Sequence, residues 1–294
     1  MTEPLTFSFE LFPPRTPEGQ AKLPAVIGRL AAVKPAYFSV TYGAGGSTQD
    51  GTYETIVHVV EETGVEAAPH LTCVGSTRAK VAALLERYRQ AGVKRIVALR
   101  GDARQTNSGA GLPAMAGSAE APGEFHYASE LVEYIRQTHD AQFAIEVACY
   151  PETHPQAPSP EADFANFVRK ARAGADTAIT QYFFNADAYF DFVERSRTAG
   201  LTLPIVPGIM PITNLVQLAR FSEACGAEIP RWIRLRLERL VDDKPALLAF
   251  GLDVVTRLCE TLLRGGAPGL HFYTLNQSEP TLRLWKNLGL PQPV

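Results

Sequence analysis

A glutamate sits within Phe7-Ser8-Phe9-Glu10-Leu11-Phe12-Pro13-Pro14-Arg15, a run that otherwise reads as a buried β-strand stopped by two prolines. Strand side chains alternate, so Ser8, Glu10 and Phe12 share one face while Phe7, Phe9 and Leu11 share the other. A parallel strand covered on both faces should be apolar throughout, and a carboxylate near its end is costly unless it has a task. Burial raises a carboxyl pKa, which turns a glutamate into a proton donor near neutral pH. The plainer alternative is a glutamate at a fraying strand end, simply solvated.

Polar residues also follow the other apolar runs. They include Thr41-Tyr42-Gly43-Ala44-Gly45-Gly46-Ser47, His70-Leu71-Thr72-Cys73, Arg100-Gly101-Asp102 and Tyr150-Pro151-Glu152-Thr153-His154. Thr180-Gln181-Tyr182, Pro207-Gly208-Ile209-Met210 and His271-Phe272-Tyr273-Thr274-Leu275-Asn276 complete the set. Downstream of Tyr150 and His154, Asp163, Asn166 and Lys170 form one polar helical stripe opposite Phe164, Phe167, Val168 and Ala171. Such a stripe could hold the ribose and diphosphate of a nucleotide, although spacing alone favours an ordinary solvated face. His70, His154, Glu10 and Asp102 could converge on a metal, but no H-x-H or H-E-x-x-H spacing supports one, so none is expected. The glycines at 43–46 could cradle a phosphate, a weak signal by itself. Cys73 and Cys149 read as packed, inert thiols.

Positioning these residues requires a repeating frame. Strand-like runs at 5–12, 36–42, 67–73, 95–100, 144–150, 177–184, 204–209 and 269–275 alternate with helical patterns such as 80–91 and 160–173. Ser159 and Pro160 suit the cap and first turn of the latter. Eight βα units predict a (β/α)₈ TIM barrel, an α/β fold, as a single catalytic domain over residues 1–294. In such barrels chemistry sits at the C-terminal strand ends, where the polar residues gather. A doubly wound sheet is the rival, but no G-x-G-x-x-G follows the first strand. The segment 103–123 reads as a long loop, and 230–240 with 245–263 as two helices before the eighth strand. The arginines of 231–239 read as the outer face of an amphipathic helix rather than a nucleic-acid stripe.

Composition narrows the classes. The chain has 294 residues, 46% hydrophobic and 20% charged, with a net charge of -3, which argues against nucleic acid or anionic membrane as partners. No apolar stretch approaches the roughly 20 residues that span a bilayer, and no signal-peptide layout opens the chain. Four scattered cysteines, Cys73, Cys149, Cys225 and Cys259, suggest reduced thiols and a cytoplasmic location.

The motifs F-S-F-E-L-F-P-P-R-T, S-V-T-Y-G-A-G-G-S-T, P-H-L-T-C, I-V-A-L-R-G-D, A-C-Y-P-E-T-H-P, A-I-T-Q-Y-F-F and H-F-Y-T-L-N, in this order, resemble the bacterial methylenetetrahydrofolate reductase family. The likeness runs from about Phe7 to Leu290. It implies a flavin barrel that reduces 5,10-methylenetetrahydrofolate to 5-methyltetrahydrofolate, with hydride passing ping-pong from NADH or NADPH through FAD. It implies Glu10 as the acid that protonates N10, and Asp102 as a carboxylate facing flavin and pterin. Gln181, Gln217 and Phe221 correspond to folate contacts, and Thr41 to a nicotinamide nucleotide contact. Tyr42, Ala44, His70, Arg100, Gly101, Asp102, Ala128, Tyr150, His154, Ala157, Asp163, Asn166, Arg169 and Lys170 correspond to FAD contacts. A homo-oligomer is implied as well.

One departure stands out: after T-L-N the family pattern has arginine, whereas this chain has Gln277, a neutral amide at a folate-facing position. The loop at 103–123 is also longer than in enterobacterial relatives. Rivals are another flavin barrel, such as a proline dehydrogenase, and a non-catalytic folate- or flavin-binding barrel acting with partner subunits. NADH oxidation by the purified chain alone separates the last from the enzymes.

Overall fold

The computed structural model describes residues 5–42, 49–101 and 123–291. The strands β1 (Thr6–Leu11), β2 (Tyr37–Val40), β3 (Glu66–Thr72), β4 (Arg95–Leu99), β5 (Ala144–Cys149), β6 (Thr177–Thr180), β7 (Ile205–Val206), β8 (Gly208–Ile209) and β9 (Gly269–Tyr273) form one sheet. All pairings are parallel, in the order β7-β6-β5-β4-β3-β2-β1-β9-β8. The two ends of that order are consecutive stretches of chain around Pro207, so the sheet wraps into a TIM-like barrel.

The expected seventh strand at 204–209 is therefore split, for a chemical reason. Pro207 has no N–H to give to a ladder. Its carbonyl accepts from His271 N at 3.0 Å, and the next amide, Gly208 N, turns to the Thr180 hydroxyl at 2.9 Å. β7 pairs with β6 and β8 with β9, and the proline is the point where the strand changes neighbours. Only glycine fits after it, because a Cβ at Gly208 would lie 2.2 Å from Thr180 O and 2.6 Å from the Tyr273 ring.

Around the strands lie α1 (Pro17–Ala31), α2 (Gln49–Thr63), α3 (Arg78–Gln90), α4 (Ala128–His139), α5 (Pro160–Arg172), α6 (Ala186–Thr198), α7 (Leu215–Cys225), α8 (Arg231–Arg239), α9 (Lys244–Arg264) and α10 (Ser278–Asn287). The cap expected for α5 forms: the Ser159 hydroxyl accepts from Ala162 N at 3.2 Å, with Pro160 in the first turn. The two helices expected before the last strand are α8 and α9.

β1 realises the alternation read from its sequence. Phe9 and Leu11 are fully buried toward the helices, and the Phe9 ring lies 5.7 Å from Phe272 and 5.8 Å from both Phe38 and Trp285. Ser8 and Glu10 take the opposite face and point into the barrel interior.

Candidate active site

Glu10 ends its side chain between two histidines. Its Oε2 lies 3.5 Å from His70 Nε2 on β3 and 4.0 Å from His271 Nε2 on β9. The glutamate side chain is 20% exposed, so it stands at the edge of the buried interior and still meets solvent. Burial lowers the His70 pKa, partly opposed by the Glu10 charge, and an uncharged imidazole beside the carboxyl follows. Tyr273 completes the surround; its hydroxyl donates to Thr180 O at 2.7 Å, and burial raises its pKa well above the ordinary value.

The backbone of β1 at this point is clamped from the far end of the chain. Thr274 Oγ1 donates to Glu10 O at 2.5 Å, and the Asn276 amide pairs with both backbone groups of Phe12, accepting at 3.0 Å and donating at 2.8 Å. To do so the chain takes left-handed conformations at Leu275 (φ 51) and Asn276 (φ 53). Such a conformation is unusual for leucine, and it persists because the surrounding bonds over-determine it. The T-L-N motif thus fixes where Glu10 sits.

A second cluster forms where β4 and β5 end. The Asp163 carboxylate on α5 accepts from His154 N at 2.9 Å, and the Tyr150 and His154 rings meet edge to face at 4.6 Å. Lys170 donates to Ala148 O, and burial lowers its pKa. Arg169 bonds Asn166, while Arg100 bonds the Gln156 side chain and Gly101 O. Of the polar stripe of α5, Asp163 is thus turned onto the loop after β5 and Lys170 onto β5 itself, while Asn166 bonds Arg169 on its own helix. Among the described residues, Arg100 and Arg169 are in no ion pair, which leaves positive charge at this rim. At the end of β2, Thr41 is buried and its hydroxyl has no hydrogen-bond partner among the described residues.

A third cluster runs along the rim on α7. This helix begins just after Met210 and Pro211 and ends against the loops after β5 and β6. There Ser222 Oγ meets the Tyr182 hydroxyl at 2.9 Å, and the Glu152 carboxylate accepts from Glu228 N at 2.8 Å. Gln217 and Phe221 line a shallow surface depression with Met210, Pro211 and Leu275. Gln181 lines a second shallow depression with Tyr150, Glu152 and Tyr182; its side-chain oxygen accepts from Tyr182 N at 2.9 Å.

A family model described as methylenetetrahydrofolate reductase matches residues 2–289. The chain belongs to the methylenetetrahydrofolate reductase family. It is 40% identical to 5,10-methylenetetrahydrofolate reductase of Salmonella typhimurium over 286 residues, 97% of this chain and 91% of that one. A probable methylenetetrahydrofolate reductase (NADH) of Oryza sativa is 38% identical over 97% of this chain but only 48% of its own length. Among solved structures, an uncharacterised protein from Clostridium thermocellum that binds two copies of 5-methyl-5,6,7,8-tetrahydrofolic acid superposes with a TM-score of 0.64. That match covers 98% of this chain and 94% of the other at 16% identity, a likeness of fold.

Methylenetetrahydrofolate reduction, a reaction of folate one-carbon metabolism, is thus the activity to be explained. Of the residues singled out in the sequence, Glu10 meets His70; Tyr150, His154, Asp163 and Lys170 gather with Arg100; and Gln217 and Phe221 line one depression. Ala44 and Asp102 lie outside the described residues, as does nearly all of the 103–123 loop. Ala128 is buried in the first turn of α4, while Gln277 is exposed at the start of α10 with no side-chain capping bond. The thiols behave as expected: burial pushes Cys73 up to about 12 and Cys149 higher still. Sequence reasoning gave no role to Ser8, His271 or Glu146, although a glutamate inside Ala144-Ile145-Glu146-Val147-Ala148-Cys149 carries the same signal as Glu10. No helix among the described residues is long and apolar enough to cross a membrane.

Proposed function

We propose that the chain reduces 5,10-methylenetetrahydrofolate to 5-methyltetrahydrofolate as a flavoenzyme, with FAD as cofactor and NADH or NADPH as co-substrate. The observation that carries this reading is Glu10: a carboxyl on the inner face of β1, beside an uncharged His70, at the C-terminal mouth of the barrel. Glu10 gives its proton to N10 of the folate; the bond from the methylene carbon to N10 breaks, its electron pair stays on N10, and a 5-iminium cation results. Asp102 offers that cation a negative charge. Gln181, Gln217 and Phe221 hold and orient the pterin. FAD, when bound, carries hydride from the nicotinamide to the methylene carbon.

The residues at the β4 and β5 ends fit such a cofactor chemically. Arg100 and Arg169, which have no carboxylate partner among the described residues, and Lys170 beside them suit a diphosphate. The Thr41 hydroxyl, without a partner among the described residues, suits a polar group arriving over β2. Tyr42, Ala44, His70, Gly101, Ala128, Tyr150, His154, Ala157, Asp163 and Asn166 make up the rest of the expected cofactor shell. The enzyme is expected in the cytoplasm as a homo-oligomer. Purified protein is expected to be yellow from non-covalent FAD, to bleach with NADH or NADPH and to recolour with methylenetetrahydrofolate. A colourless protein that takes up no added FAD sinks both cofactor and activity.

Gln277 offers a graded test. It is exposed, and its backbone continues directly from the Thr274–Asn276 clamp beside Leu275, which lines the Gln217–Phe221 depression. Gln277→Arg adds a charged donor worth ~1.5 kcal/mol, so the folate KM should fall about tenfold. Unchanged folate kinetics would mean that this position does not touch the substrate.

A further inference from the structure

Ser8 and His271 take no part in those steps, yet they stand directly behind Glu10. Ser8 Oγ lies 2.7 Å from His271 Nδ1, and the two residues are 0% and 1% exposed. The same serine hydroxyl faces the Tyr37 phenol, which donates to Glu146 Oε2 at 2.9 Å. Glu146 is 1% exposed and its other oxygen takes a 2.9 Å bond from Arg95. Arg95 and Glu66, paired at 3.2 Å, are the first residues of β4 and β3. A polar column therefore runs through the barrel from its N-terminal end to Glu10, with contributions from six strands.

The column has a direction. Arg95 keeps its proton, so the Glu146 oxygens act as acceptors. Burial raises the Glu146 pKa, while Arg95 and the Tyr37 hydroxyl pull against that. Burial raises the Tyr37 pKa well above its ordinary value, so the phenol keeps its proton and donates a hydrogen bond to Glu146. The phenol oxygen is then free to accept from Ser8, and the Ser8 oxygen to accept from His271 Nδ1–H. An uncharged imidazole with its proton on Nδ1 has a bare lone pair on Nε2. That Nε2 is the atom 4.0 Å from Glu10 Oε2, a gap that a bridging water or a small side-chain rotation closes.

We infer that the Arg95–Glu146–Tyr37–Ser8 column locks His271 in its Nδ1–H tautomer, so that His271 offers Glu10 an acceptor and keeps it the proton-bearing partner. A hydrogen bond that only the protonated carboxyl can make disfavours the carboxylate. His271 is thus a positioning residue for the proton on Glu10, an inference that rests on Glu10 being the acid. The other described groups facing Glu10 do not oppose this. His70 on β3 is uncharged, and Tyr273 on β9 donates to Thr180 O. Tyr37 and Tyr273 flank the His271 ring, stacked at 6.3 Å and edge-on at 5.3 Å.

The tautomer can be read in the intact FAD-loaded protein by long-range proton–nitrogen correlation on ¹⁵N-labelled histidine, with His271→Gln to assign the signal. Nδ1–H is the expected state, and Nε2–H overturns the inference whether or not Glu10 proves to be the acid. Tyr37→Phe supplies the kinetic test. Without the phenol, the Ser8 proton turns to Nδ1, and His271 becomes a donor toward Glu10. The basic limb of the folate half-reaction should then move down by about one pH unit, with about a tenfold loss at pH 8. The pH profile of flavin reduction by NADH should stay where it is. An unmoved folate limb in a folded, flavin-loaded variant overturns the inference, and if that variant fails to fold, the wild-type tautomer decides.

Discussion

Glu10→Gln is expected to lower folate reduction by at least ~10²-fold, the lower end of what a general acid contributes, while sparing flavin reduction by NADH. The two half-reactions differ in their need for a proton. Hydride transfer from nicotinamide to flavin takes none from the enzyme, whereas opening the folate ring needs one on N10. Glutamine keeps the size of the side chain and its place between His70 and His271, and the Thr274 clamp holds the backbone carbonyl of residue 10, not the side chain. FAD content and NADH oxidation with an artificial acceptor should therefore survive. Rapid-mixing measurement of each half-reaction separates the outcomes. Loss of both in a folded, flavin-bound variant would give Glu10 a structural role. Retention of both would assign the proton to another residue and remove the central assignment.

The barrel was legible because its signals are local. Apolar runs of strand length recur between helical patterns, and the alternation in β1 correctly divides Phe9 and Leu11 from Ser8 and Glu10. What the sequence hid depends on contacts between distant segments. The split at Pro207 needs Thr180 and His271 as the partners that take over its hydrogen bonds. The course of α7 along the rim depends on Ser222 meeting Tyr182 and on Glu228 meeting Glu152, 40 and 76 residues apart. The site residues were legible mainly through motif resemblance, since spacing alone left Glu10 and the α5 stripe open to plainer readings. Glu146 shows the limit of the burial argument. A carboxylate in a buried strand signals a task, but the residue type does not say whether that task is proton transfer or holding a column together.

That distinction can be measured at Glu146 itself. Glu146→Ala strands two polar groups: Arg95 loses its buried partner, and the Tyr37 hydroxyl loses its acceptor. Removing one member of a buried pair costs about 3–5 kcal/mol, because the survivor is left uncompensated. The lower end applies here, since the Arg95 side chain is 24% exposed and keeps Glu66 at 3.2 Å. A loss of about 3 kcal/mol corresponds to a fall in Tm of roughly 5 °C for a domain of this size. Glu146→Gln, which keeps the volume and one acceptor, should lose about half as much by the same reasoning. Thermal unfolding of the flavin-loaded variants, followed by flavin release and circular dichroism together, reads the difference. A Glu146→Ala protein as stable as the wild type would mean that the buried charge contributes nothing net to the fold. If its folate half-reaction then lost rate at alkaline pH, the carboxylate would be acting on Glu10 through Tyr37, Ser8 and His271.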